Sequence, residues 1–409
     1  MQVGEWRLLG MAMASHGLVH TYMLLIPLMI PLWMEEFSVN ESGIGLVATA
    51  AYLLFGLTAL PSGFASDRLG SRGLIALSMG GAGLSLVLTY LTTDLVSLTL
   101  SLVLVGLFSG LYHPAGLSLV SRKMMEKERA LGYHGAGGNI GIGLGPLAAA
   151  LLLTAFSWRE VFLLSALPGI LLCLLWLKRE EGSKRLRHDG VRVTKNVSLR
   201  TLFNVQFLVV VALYFLYGLC YRGSVTFIPT FIDKALEFPS IALFGNELTA
   251  GRYLFVAMLL VGALGQTAAG YLAERRGAGR TLALAFGAMV LMLVAIPLTA
   301  RLSFVASLLV FGFFLFSVQP LQNSLVASVT RGEVRGFAYG MTFLSAFGFG
   351  AFGAALAGFL AVYSGYMMVY LTLAGTASVA LALAAIYAVR FRQREEEMTE
   401  RRTYQSESL

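Results

Sequence analysis

The chain has 409 residues, of which 57% are hydrophobic and 13% charged, and it carries a formal net charge of +8; its mean hydropathy is +0.75. These values lie outside the range of soluble globular proteins and indicate an integral membrane protein. A basic excess can mark a nucleic-acid binder, but here the positive residues are spread over alternate connections between apolar segments, which excludes that class.

Crossing a hydrocarbon core of roughly 30 Å takes about 20 apolar residues as helix. Twelve such windows follow one another, at approximately 8–33, 43–65, 73–92, 96–120, 131–156, 161–177, 204–231, 253–272, 281–300, 302–329, 336–363 and 365–389. The sequence AMAS at 12–15 resembles a signal-cleavage site, yet the first window is too long and too little precedes it, so it is expected to remain as the first helix. Across all twelve windows the one formal charge is Arg222, and there is no Asp or Glu. Cys173 and Cys220 both lie inside windows and read as small packing residues.

The connections alternate in charge. Arg68 and Arg72, then Arg122, Lys123, Lys127 and Arg129, then 178–200, then Arg275, Arg276 and Arg280, then Arg331 and Arg335 occupy every second one, whereas Glu35, Glu36, Glu41, Asp94, Asp233, Glu237 and Glu247 fall in those between. The positive-inside rule then puts both termini in the cytoplasm of a multi-pass protein of the cell (inner) membrane. Residues 178–203 hold eight Lys/Arg and three acids and form the one long polar stretch inside the chain. The expected organisation is a six-helix bundle at 1–177, a cytoplasmic linker at 178–203, a second six-helix bundle at 204–390 and a cytoplasmic tail at 391–409.

The two halves repeat at an offset of 206 to 207 residues. Gly63, Asp67, Arg68 and Gly70 meet Gly270, Glu274, Arg275 and Gly277; Pro114 meets Pro320; Arg129 and Tyr133 meet Arg335 and Tyr339; HGLV at 16–19 meets RGSV at 222–225. Two six-helix bundles repeated about an axis along the membrane normal resemble the major facilitator superfamily. This implies an all-α membrane protein of twelve transmembrane helices in two pseudo-symmetric bundles, with its site between them near the midplane.

Two motifs carry the resemblance further. GFASDRLGSR at 63–72 is similar to the superfamily's loop signature between helices two and three: Gly63, Asp67, Arg68, Gly70 and Arg72 match, whereas Ala65 and Ser71 depart. The resemblance implies cytoplasmic gate contacts for these residues and for Gly270, Glu274, Arg275 and Gly277, with the Asp67 carboxylate meeting a helix N-terminus. GYHGAGGNIGIGLGPLAA at 132–149 is similar to the helix-five antiporter signature, with Gly132, Gly141, Gly145 and Pro146 in register and Ala149 and Ala150 in place of its last glycines. That motif implies close helix packing and export against a proton. Where proton-coupled members carry an arginine in helix four, this chain has Gly106. The combination of SHGLVHTYMLLIP at 15–27, GLYHPAGLSLVSR at 110–122, the Gly-Gly-Asn of 137–139 and YRGSVTFIPTF at 221–231 resembles the fosmidomycin-resistance branch, although Ala115 stands where related members often have an acid.

Polar groups in hydrocarbon are costly and normally face a cavity or one another. His16, His20, His113 and Arg222 fall on helices that line the cavity in this superfamily, and the repeat pairs His16 with Arg222. A cationic pocket for a small anionic substrate is therefore expected, with Arg222 making charge-assisted hydrogen bonds. Asn139, Tyr217, Tyr221, Gln319 and Asn323 are candidates for neutral contacts, as are Tyr112 and Gln322; for each of these, and for His134, helix packing is the competing reading. With no carboxylate in the windows, a coupling proton is expected on His16, His20 or His113.

The expected function is a secondary transporter working as a monomer by alternating access, exporting small anionic or amphiphilic compounds in exchange for protons, with no cofactor and no resident metal. Exchange or import of anions without a proton is the first alternative. A divalent-metal carrier using His16 and His20 is a second, disfavoured by the lack of carboxylates and of a Cys or Met cluster. Enzymatic readings fare worse: HGLVH at 16–20 has Gly17 where the HExxH helix needs its glutamate, and no GxxxxGK[ST] loop is present. A non-transporting sensor would keep the fold and lose alternating access.

Overall fold

The computed structural model describes residues 3–178, 203–243, 246–330 and 335–390. Residues 179–202 of the linker expected at 178–203, the tail at 391–409 and the arginine at 331 lie outside them, as does the side chain of Arg335.

The described residues are helical almost throughout: α1 (Val3–Glu36), α2 (Glu41–Leu69), α3 (Ser71–Tyr90), α4 (Leu95–Gly110), α5 (Tyr112–Lys123), α6 (Lys127–Leu152), α7 (Trp158–Lys178), α8 (Val205–Ala235), α9 (Ala250–Arg276), α10 (Ala278–Ala295), α11 (Arg301–Val329), α12 (Arg335–Phe343) and α13 (Phe352–Arg390). Apolar side chains such as Leu84, Leu100, Leu144, Leu177, Leu264 and Leu291 point outward with more than half their surface free, as helices facing lipid require.

Among the described residues, eleven stretches are long and apolar enough to cross a membrane. The last of them, Phe337–Arg390, has 54 residues, which as one helix would reach about 80 Å. It is broken at Gly365, whose φ of 78° and ψ of 165° are not helical. Before the break, Gly340 lies by Leu60, Gly348 by Gly56 and Gly358 by Glu41; after it, Tyr366 bonds Glu41 while Ala388 lies by Gly279 at the far end. The chain climbs and returns, so this stretch crosses twice and the twelve expected spans are all present.

Local chemistry explains the interruptions. The fourth span divides at Leu111, three residues before Pro114, which has no N–H for the helical ladder; Ser62 Oγ donates to the Leu111 carbonyl at 2.5 Å. The expected loop at 63–72 is mostly helix: α2 runs through to Leu69 and α3 starts at Ser71. Gly70 alone makes the reversal, with φ 79° and ψ 139°, and its repeat partner Gly277 has φ 83° and ψ 145° between α9 and α10. A side chain at either position would be strained. The eleventh span carries a π-helical turn at Leu344–Gly348 followed by a 3₁₀ turn at Phe349–Ala351. A short antiparallel pair, β1 (Ile241–Leu243) and β2 (Asn246–Leu248), occupies the connection before α9.

Within the first half α1 packs on α6, α2 on α4 and α3 on α7; within the second, α8 packs on α13, α9 on α11 and α10 on both α11 and α13. The halves meet through α2 against α12 and α13, α6 against α9, and α1 against α8. Small residues set the closest approaches: Gly56 abuts Gly348, and Gly45 lies against the Ala354 carbonyl.

Candidate functional site

Four histidines gather in the first half. The glycines at 137 and 138 make room for them: the backbone of Gly137 lies on Met13 of α1, and the space where Gly138 would carry a Cβ is filled by the His16 ring. Further along the same seam Gly141 abuts the backbone of Gly17, and Gly145 abuts Thr21. The expected helix-five motif is thus an α1–α6 packing device inside one half, with Pro146 within α6 and Gly132 facing open space.

The hydrogen bonds assign the tautomers, because a carbonyl only accepts. His16 Nδ1 donates to the His134 carbonyl at 2.8 Å. In a neutral ring His16 Nε2 is then bare and accepts from His20 Nε2 at 3.2 Å. Tyr112 Oη donates to the Ala12 carbonyl and accepts from His134 Nε2 at 2.9 Å. His16 stacks on His134 with centroids 4.3 Å apart, and His113 stands edge-on to His16 and His20 at 5.1 and 5.2 Å. His113 Nε2 is buried and has no partner.

Arg222 faces this group from α8. It is 2% exposed, its Nε has no hydrogen-bond partner, and among the described residues no carboxylate pairs with it. Aromatic faces hold it instead: the guanidinium carbon lies 3.7 Å from the Tyr52 ring centroid, 5.0 Å from Tyr221 and 5.9 Å from Phe347. Tyr52 belongs to the first half and Tyr221 and Phe347 to the second, so the cation is clamped at the junction.

A cavity of about 20 Å³ lies between the halves, lined by His20, Met23, Leu24, Phe55, Ile142, Tyr217, Tyr221, Arg222, Phe316, Gln319 and Phe347. That volume admits about one water, so the side chains are packed tightly at this point. The expected residues His20, Tyr217, Tyr221, Arg222 and Gln319 meet here, and His16 and His113 stand directly behind His20. Two others do not join them. Asn139 is half-buried on α6 and does not line the cavity. Asn323 is engaged elsewhere, accepting from Tyr214 Oη at 2.7 Å and, through its carbonyl, from Tyr339 Oη at 3.2 Å. Gln322 is fully buried with neither amide atom bonded. Tyr52, Phe55, Phe316 and Phe347 were not expected; in sequence they are aromatic residues within apolar runs, and the rarity of a tyrosine in the second window is the one available signal.

Gly106, where an arginine was the family alternative, sits against the Ala51 carbonyl so closely that even a Cβ would collide. The helix spacing excludes any side chain there. Of the expected gate residues, the side chains of Asp67 and Arg68 lie outside the described ones. Arg72 donates to the Trp176 and Leu177 carbonyls, at 2.5 and 3.2 Å, at the end of α7. Arg275 lies over the Tyr271 ring at 4.3 Å, Glu274 and Gly270 are exposed, and a Cβ at Gly63 would come no nearer than 4.0 Å to Pro114.

At the opposite face Glu41 bridges the halves, accepting from Lys234 Nζ at 2.8 Å and Tyr366 Oη at 2.9 Å. Asn246 of β2 adds a bond to the Thr154 carbonyl at 2.9 Å. A vestibule of about 440 Å³ opens beside Glu41, bounded by α1, α2 and α8.

The sequence profile described as the Major Facilitator Superfamily matches residues 11–352 and again 253–406. The chain belongs to the Major Facilitator Superfamily. It is 34% identical over 149 residues to the human voltage-gated purine nucleotide uniporter SLC17A9, a match covering 35% of this chain and 34% of that protein. It is 27% identical over 166 residues to the D-galactonate transporter of Escherichia coli O6:H1 strain CFT073, covering 40% of this chain and 37% of the relative. These matches span little more than a third of the curated relatives' length. A bacterial homolog of the human lysosomal transporter Spinster, in an inward-facing and unoccupied conformation, superposes with a TM-score of 0.73 at 15% identity, covering 97% of this chain and 99% of that one. Fold and family are those of secondary transporters.

Proposed function

We propose that this superfamily member carries small organic anions, with Arg222 holding the anionic group. The observation that carries the reading is a guanidinium buried between the two halves with, among the described residues, no carboxylate to neutralise it. An unpaired buried charge costs several kcal/mol, and an incoming carboxylate or phosphate offsets that cost with charge-assisted hydrogen bonds. The names of two relatives point the same way, since a nucleotide and galactonate are both anions. Tyr217, Tyr221 and Gln319 supply neutral contacts beside it.

Transport then consists of rocking 1–177 against 204–390. With both termini cytoplasmic, the Glu41–Lys234–Tyr366 bridge closes the outer face, and Gly70 and Gly277 mark the cytoplasmic one. His20 lines the same cavity as Arg222, so a proton on His20, passed along His16, would put a second positive charge beside the site and raise its affinity for the anion; export against a proton rests on the antiporter-like motif at 132–149 alone. The wider resemblance to the fosmidomycin-resistance branch favours phosphonates among the anions to test. In proteoliposomes, uptake of labelled galactonate, a nucleotide and a phosphonate with and without a pH gradient tests the reading. Transport of cations in preference to all three would remove it.

A further inference from the structure

We propose that His16, His20 and His113 form a binding site for a borderline divalent cation such as Zn²⁺, with its fourth coordination position open to the central cavity. The chain alone offers only two histidines a helical turn apart on α1; the fold brings the third from α5. One ligand nitrogen from each of the three lies within 4.8 Å of the others. The His16 and His20 Nε2 atoms are 3.2 Å apart, close to the ~3.3 Å that separates two imidazole nitrogens on a tetrahedral zinc with bonds of about 2.0–2.1 Å.

Two further features point to a ligand. His113 Nε2 is buried and unpartnered, an orphan donor-acceptor that a metal would satisfy. His16 is already oriented as metal-bound histidines are, its Nδ1–H on the His134 carbonyl and its Nε2 lone pair presented to the cluster. Binding requires only that His20 move its proton from Nε2 to Nδ1 and that His113 close in. No ligand is charged, so the ion brings its full charge to within reach of the cavity. Because His20 lines that cavity, the open position faces the place where an anion would sit.

The experiment uses the full-length protein, purified in detergent with any affinity tag removed, titrated with Zn²⁺ by calorimetry and with Co²⁺ by visible absorption. The expected result is one ion per chain, the intense visible bands of four-coordinate Co²⁺, and three imidazole nitrogens by X-ray absorption on the wild type. His113→Gln should weaken binding at least tenfold, while His188→Gln, in the linker, should leave it unchanged. No saturable binding, unchanged affinity in His113→Gln, or loss in His188→Gln would overturn the site. X-ray absorption on the wild type decides the matter even if a variant does not fold. Arg222→Gln separates this proposal from the transport reading: it should keep or tighten Zn²⁺ binding while anion binding falls, and loss of Zn²⁺ there would mean the ion rides on the anion rather than on the imidazoles.

Discussion

Replacing Arg222 by Gln removes the cavity's one formal charge and keeps a hydrogen-bonding side chain of similar reach. A hydrogen bond to a charged group is worth about 1.5–3 kcal/mol, so losing one such bond should weaken anion binding about 10- to 150-fold. Stability should respond in the opposite sense. Arg222 is buried without a carboxylate, so the variant is relieved of a desolvation cost of several kcal/mol. It forfeits a cation–π contact with Tyr52 worth about 0.5–2 kcal/mol. Desolvation is the larger quantity, and the melting temperature of Arg222→Gln should equal or exceed that of the wild type. Anion-induced thermal shift and equilibrium binding of labelled ligand in detergent read both effects in one preparation. An affinity unchanged within twofold, or a variant that loses stability along with binding, would refute the reasoning.

Other consequences follow from the packing and the outer-face bridge. Gly141→Ala places a Cβ 2.0 Å from the Gly17 carbonyl oxygen, so it should destabilise by about 1–3 kcal/mol or more; Gly132→Ala, in open space, should leave the melting temperature unchanged. Lys234→Met should raise maleimide labelling of Thr230→Cys in a Cys173/Cys220-free background by no more than about fivefold, because an ion pair whose lysine is 52% exposed, against a buried Glu41, contributes only about 1 kcal/mol. Asp94 caps α4 by accepting from the Ser97 and Val96 N–H groups, and these bonds, the one to the Ser97 N–H foremost, hold its carboxyl below the ordinary aspartate value. Its stabilisation is therefore complete above a pH of about 3.9 and lost as pH falls through the lower folded value. Thermal melts of wild type and Asp94→Ala should differ at neutral pH and converge in acid.

Hydropathy made the twelve spans legible, because a lipid-facing helix must be apolar along its whole length. Hydropathy did not show the break at Leu111, which Pro114 marks and a bond from Ser62 completes, nor the π turn at Leu344–Gly348, which packs on Gly56 of another span. The β1–β2 pair is too short to leave a pattern. Arg222 was legible as the single charge in an apolar window, and His16 and His20 as an i, i+4 pair. Their convergence with His113 and His134 was not, since it depends on the α1–α6 seam and on where α5 begins. Tyr52 looks like any aromatic in a membrane span until Arg222 is laid across it. Asn139 and Asn323 show the converse: polarity within a span identified them, but the first does not line the cavity and the second ties α8 to α11.

A structure of the protein with an organic anion bound tests the central claim most directly. The account predicts anionic oxygens within about 3 Å of the Arg222 guanidinium, with Tyr217, Tyr221 or Gln319 alongside and the halves parted to admit the ligand. An anion held elsewhere, with Arg222 still folded against Tyr52 and the central cavity closed, would contradict it.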